Sequence, residues 1–126
     1  LSRFQRIRTP REFKQVYQSK QWGGSDHYSF NVLAHTDNGD PIPRVGITVS
    51  KKVAKQAVAR NRIKRQIKEF YRHHKQSLLA IDLVITAKPS CAKASDIERQ
   101  QSLEHLWEKI LKWQRWFSAK HSCIKR

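Results

Sequence analysis

Residues 45–76 read VGITVSKKVAKQAVARNRIKRQIKEFYRHHKQ, and the part from Lys51 to Lys75 holds ten Lys and Arg against one acid, Glu69. These 25 residues supply +9 of the +16 net charge. A basic run this dense signals disorder or a loose tail unless something anchors it. Here Ile63, Ile67, Phe70 and His74 interrupt it at steps of four, three and four, which is helical spacing. At about 100° per residue, Ala59, Ile63, Ile67, Phe70 and His74 fall within an arc of roughly 80°. Asn61, Lys64, Arg65, Lys68 and Arg72 fill the opposite side, and Arg60 and Arg62 flank the stripe with stems on the core and heads outward. The pattern predicts a helix from about Ala54 to Gln76 that anchors one face and presents a comb of cations on the other.

Working outward, Val45, Ile47 and Val49 alternate as a strand that ends at Ser50-Lys51-Lys52. Asp82 to Lys88 is a short β-branched run, apolar enough to be central in a sheet, and Pro89 ends it. A strand, helix, strand unit from Arg44 to Lys88 predicts two parallel strands, by the general rule with a right-handed crossover. Thr9-Pro10-Arg11-Glu12 is a capping box with Pro at the first helical position, so a helix should run from Pro10 to about Ser19 with Phe13, Val16 and Tyr17 on one face. Gly23-Gly24 should then break the chain, and His27 to Thr36 alternates as a further strand. Asp37 to Pro41 is a turn by composition. A last helix should start near Ser95, which has Glu98 three residues on. Its apolar side would carry Leu103, Leu106, Trp107, Ile110, Leu111, Trp113, Gln114 and Phe117, with Trp116 off the stripe.

These elements predict an α+β chain, a single small α/β sandwich of order α-β-β-(β)-α-β-α around a mixed sheet. Residues 1–118 would form one domain and residues 119–126 a basic tail. With 38% apolar residues and four Trp among 126, the chain is no disordered polycation. Cys91 and Cys123 are isolated thiols, which fits a reducing cytosol, and neither they nor His73, His74 and His121 assemble a metal-ligand pattern.

A rigid comb of like charges repels itself by a few tenths of a kcal/mol per neighbouring pair, about 0.2–0.5, unless a dense anion faces it. Ordinary solvated surfaces mix both signs. The anion such a comb fits is a phosphate backbone: Arg offers bidentate planar donors, Lys a point charge, and Asn61 can serve a base edge or a 2′-hydroxyl. The ten acids are scattered, with no cluster able to hold two metals for phosphodiester chemistry.

The run Arg60-Asn61-Arg62-Ile63-Lys64-Arg65, preceded by Val45-Gly46-Ile47-Thr48-Val49-Ser50-Lys51-Lys52, resembles the signature of the bacterial ribonuclease P protein subunit. Thr9-Pro10 with Phe13, Val16 and Tyr17, then Tyr71-Arg72, Asp82 to Ile85, and Leu103, Leu106 and Trp107 agree in order, so the resemblance spans about residues 3–117. It departs at Val53 to Ala59, one residue longer than the Gly-Asn connection of some relatives. The resemblance implies that the β-α-β crossover carrying the basic helix is left-handed, against the general rule. It implies partnership with a large catalytic RNA and precursor tRNA, with no membrane and no obligatory protein partner, in the bacterial cytoplasm. Mg²⁺ would be held by the RNA, and no residue of the protein would be catalytic. Arg60, Asn61, Arg62, Lys64, Arg65 and Lys68 would lie against RNA, with Lys51 and Lys52 extending that surface. Phe13 and Tyr17, with Leu33, would line a cleft for the single-stranded 5′ leader, where aromatic faces stack bases. The other reading is a structural RNA-binding protein of ribosomal type, which needs the charge but no cleft.

Overall fold

The structure, a computed structural model, describes residues 5–7, 9–34, 43–78 and 81–120. The elements are β1 (Gln5–Arg6), α1 (Pro10–Gln18), β2 (Trp22–Gly24), β3 (Tyr28–Ala34), β4 (Arg44–Thr48), α2 (Ala57–His74), β5 (Ile81–Ala87) and α3 (Asp96–Lys120). Short 3₁₀ turns follow α2 at Lys75–Ser77 and β5 at Pro89–Lys93. One mixed sheet orders the strands β1-β4-β5-β3-β2. The β4 and β5 strands joined by α2 are parallel neighbours, as the β-α-β reading requires, while β3 runs antiparallel to both β5 and β2.

The period-2 alternation of the strands divides the sheet into two faces. Tyr28, Phe30, Val32, Val45, Leu83 and Ile85 join the main core with Ile63, Ile67, Phe70 and Tyr71 of α2 and Leu103, Leu106, Trp107 and Ile110 of α3. On the other face a smaller core gathers Ile7, Val16 and Val84, with Phe13 and Leu33 against it. Helix α1 covers this second face, and covers only part of it.

Both capping boxes form. Thr9 accepts from the Glu12 amide at 3.2 Å while Glu12 accepts from the Thr9 amide, and Ser95 and Glu98 make the same exchange at 3.1 and 2.8 Å. Four boundaries differ from expectation. Gly23-Gly24 does not break the chain but pairs with β3 as an edge strand, because a side chain at Gly23 would run into the Phe30 ring, with a Cβ 2.8 Å away. The short β1 pairs in parallel with β4 and has too few residues to show a period. Helix α2 starts at Ala57 rather than Ala54, since a turn closed by the Val53 amide on the Ser50 carbonyl, at 3.0 Å, plants Val53 in the core first. Helix α3 continues through Ala119 and Lys120. The expected turn at residues 37–41 lies outside the described residues.

Within α2, Ala59 is exposed and Tyr71 is fully buried, so the apolar arc is rotated toward Tyr71 relative to the expected stripe. The reason is α3: the Trp107 ring meets Phe70, Tyr71 and His74 edge-on at 5.7, 6.1 and 5.8 Å, so the helix is buried from two sides.

Candidate nucleic-acid interface

With Ile63, Ile67, Phe70 and Tyr71 turned into the core, the rest of α2 must face outward. Asn61, Arg62 and Arg65 are exposed, Lys64 and Lys68 are half-buried, and Lys51 and Lys52 are exposed in the turn between β4 and α2. The first turn of α2 carries no acid, and Gln56 gives it no side-chain cap. Lys68 is held below its ordinary pKa, first by burial and then by the charges of Arg6, Lys64 and Arg65. Arg6, on the edge strand, thus lies near enough for Lys68 to feel its charge. Only spatial folding brings it there.

Not every cation of the run faces outward. Arg60 Nη1 donates to the carbonyls of Ala54 and Lys55 at 3.0 and 2.8 Å, closing the turn that leads into α2. Arg72 does face outward, but it pairs there with Glu69, the one acid of the run. The outward comb is therefore Asn61, Arg62, Lys64, Arg65 and Lys68. Replacing Arg62, Lys64 and Arg65 together by Ala is expected to flatten the salt dependence of binding to a structured RNA. The log–log slope should fall by about one unit or less per lost phosphate contact. Arg60→Ala should instead weaken the start of the helix; binding titrations across a salt series separate the two, and an unchanged slope in the triple variant removes the comb from the interface.

The second surface lies where α1 leaves the sheet uncovered. Arg44, at the start of β4, donates to Asp82 from Nε and Nη2 at 2.9 and 2.6 Å and to Glu12 of α1 from Nη1 at 2.9 Å. This clamp holds α1 across one end of the sheet. Phe13 then lies directly over Gly46, where a Cβ would come within 2.6 Å of its ring, so only glycine admits the ring there. Beside it opens a cavity of about 460 Å³ lined by Pro10, Phe13, Lys14, Tyr17 and Thr48. The Phe13 and Tyr17 rings are 6.5 Å apart and tilted by 33°, and Tyr17 is 43% exposed. Phe13 is shared between core and cavity wall, whereas Tyr17 is not a core residue. Leu33 is on the same face but packs into the small core beneath α1 rather than lining the cavity. Lys14, which no apolar pattern singles out, supplies a cation at the wall.

The chain itself links the two surfaces. Thr48 lines the cavity, and Lys51 follows three residues later, within at most about 11 Å along the chain. A second cavity of about 400 Å³, lined by Ser25, Asp26, His27, Glu98, Gln101, Ser102 and His105, carries two carboxylates and is unsuited to phosphate. Among the described residues no three His, Cys, Asp or Glu side chains are placed to hold a metal ion.

Residues 1–111 match the family model Ribonuclease P. The chain is 39% identical over 108 residues to the ribonuclease P protein component of Sodalis glossinidius, covering 82% of this chain and 85% of that protein. It is 40% identical over 111 residues to that of Pseudoalteromonas atlantica, covering 88% and 90%. Among solved structures, the Staphylococcus aureus RNase P protein superposes with a TM-score of 0.78 at 29% identity, covering 86% of this chain and 96% of that one. The Thermotoga maritima RNase P protein shares the fold, with a TM-score of 0.69 at 21% identity over 81% and 94% of the two chains.

Proposed function

Since this chain belongs to the ribonuclease P family, as a protein component of that RNA-based endoribonuclease, we propose that its two surfaces divide the work of tRNA 5′ processing. The comb of α2 with Lys51 and Lys52 docks the catalytic RNA, and the groove beside α1 holds the single-stranded 5′ leader of precursor tRNA. The observation that supports this is an open groove with an exposed Tyr17, whose wall residue Thr48 stands three residues before Lys51 and the acid-poor cationic run that follows it. Single strands offer base faces for stacking and phosphates for Lys14 and the comb. The cations lower the repulsion between two RNAs brought together, and the groove fixes the leader relative to the scissile bond.

The donor set of the described residues does not fit Mg²⁺, so we place that ion on the RNA and assign the protein no step through it. No helix among the described residues is long and apolar enough to cross a membrane. We place the assembly in the bacterial cytoplasm, without an obligatory protein partner.

Tyr17→Ala tests the groove, because Tyr17 can be cut back without opening the core. In holoenzyme reconstituted with the catalytic RNA, it should weaken binding of leader-bearing precursor by about 5- to 150-fold, one lost base stack. Affinity for leaderless tRNA and for the catalytic RNA should be unchanged, and Tyr17→Phe should retain most of the wild-type affinity. Equal binding of leader-bearing precursor by wild type and Tyr17→Ala would remove the leader from this groove.

A further inference from the structure

The uncovered face of the sheet continues beyond the cavity. The register places Thr48, Thr86, Ser29 and Gly24 in one row across β4, β5, β3 and β2, and Gly46, Val84, Asn31 and Trp22 in the next. Phe13 covers Gly46, and Ile7 and Val16 cover Val84. Past them the floor is polar: Thr48, Thr86, Ser29 and Asn31 are all half-buried, offering hydroxyls and an amide. The floor ends at Trp22, which is 72% exposed.

The neighbours of Trp22 fix its side. Gln21 Oε1 accepts from the Trp113 indole of α3 at 2.9 Å, and the Cβ direction of Gly23 meets the Phe30 ring in the main core. Both therefore face α2 and α3, and alternation along the strand turns Trp22 to the α1 face, the face of the groove. Lys20, exposed and held at φ 63°, makes the turn from α1 into this edge and places a cation beside it. A large aromatic left in water at the rim of a polar floor, on a chain of net charge +16, fits one occupant well: a nucleobase of a single strand whose phosphates are drawn to Lys14 and Lys20.

We infer that Trp22 is a second base-stacking platform, at the far end of the floor from Thr48, so that the protein distinguishes leaders by length. This rests on the reading of the groove as the leader site. Three inter-strand spacings separate β4 from β2, about 14 Å, which is about four steps of a stacked strand. A leader confined to the cavity cannot reach Trp22, and one that crosses the floor gains a stack.

The test uses holoenzyme reconstituted with the catalytic RNA and precursor tRNAs whose leaders grow one nucleotide at a time. Wild-type Kd should tighten in a step of about 5- to 150-fold when the leader reaches the edge. An abasic nucleotide at that position should abolish the step. Trp22→Ala should lose the step while binding shorter leaders as wild type does, and Trp22→Phe should keep most of it. A step that survives Trp22→Ala, or equal weakening for all lengths, overturns the assignment. So does a change in the sedimentation of the holoenzyme with no change in length dependence, which would make the indole a contact between proteins. If Tyr17→Ala leaves even short leaders unaffected, the groove reading itself falls; if Tyr17→Ala weakens all leaders and only the Trp22 step fails to respond, the groove stands and Trp22 is no part of it.

Discussion

Replacing Arg44 by Ala is expected to destabilise the fold by about 3 kcal/mol. Asp82 is buried, with 6% of its side chain exposed, and receives two donors of the Arg44 fork. Removing the guanidinium takes two charge-assisted donors from that buried carboxylate. The cost belongs at the low end of the range for a broken buried pair, because 27% of the Arg44 side chain still reaches solvent. The third donor reaches Glu12, so the same substitution loosens α1, and leader binding should fall in addition to stability. Glu12→Gln, altering only the outer and more exposed partner, should cost less than about 1 kcal/mol. Arg44→Ala combined with Asp82→Asn should recover part of the loss, since the buried charge is then gone. Urea midpoints of the four proteins check this, and a loss below about 1 kcal/mol for Arg44→Ala would mean that the clamp does not hold the sheet and α1 together.

That clamp also marks where the sequence stopped being legible. The capping boxes at Thr9 and Ser95 could be read directly because both partners lie within one turn of each other. The comb of α2 was legible for the same reason: charge and apolar spacing are local. The groove was not. Its wall is set by Arg44, Glu12 and Asp82, partners 32 and 38 residues apart, and no periodicity encodes the direction in which α1 crosses the sheet. Arg60 counted as an outward cation until its fork met two carbonyls in a non-helical turn, whose geometry no spacing rule describes. Tyr71 followed the helical pattern but fell outside an arc drawn for one partner, because the second partner, Trp107, comes from α3. Gly23-Gly24 carries a breaker composition, yet a glycine is what the Phe30 ring admits at Gly23. Trp22, beside those glycines, takes its side from the strand they form.

Raising the pH above about 10 is expected to unfold the protein steeply. Tyr28 and Tyr71 are both fully buried. Burial pushes both phenols well above their ordinary value; the Cys91 thiol raises Tyr28 further, and the charge of Asp82 raises Tyr71. Cys91 is itself pushed up by burial, against the opposing pull of Tyr28 and Arg99. In the unfolded chain a thiol releases its proton near pH 8.5 and the two phenols near pH 10, about their ordinary values. The folded state keeps both phenolic protons through this window and releases the thiol proton later than the unfolded chain does. Above those values the unfolded state binds fewer protons than the folded one, so stability is intact below them and declines as pH rises, by about 1.4 kcal/mol per pH unit for each group. The two phenols alone remove about 5 kcal/mol between pH 10 and 12, which is the whole stability of a marginal domain. Lys68 works in the opposite direction, since its folded pKa is depressed, but it is one partly exposed group against three buried ones. Far-UV circular dichroism and phenolate absorbance followed together should therefore show two of the three tyrosines ionising only as the helices melt. Tyr28→Phe and Tyr71→Phe should each lower the pH slope of stability by about 1.4 kcal/mol per unit. A slope above pH 10 that neither substitution changes would show that the two phenols titrate with their rings still in the folded core.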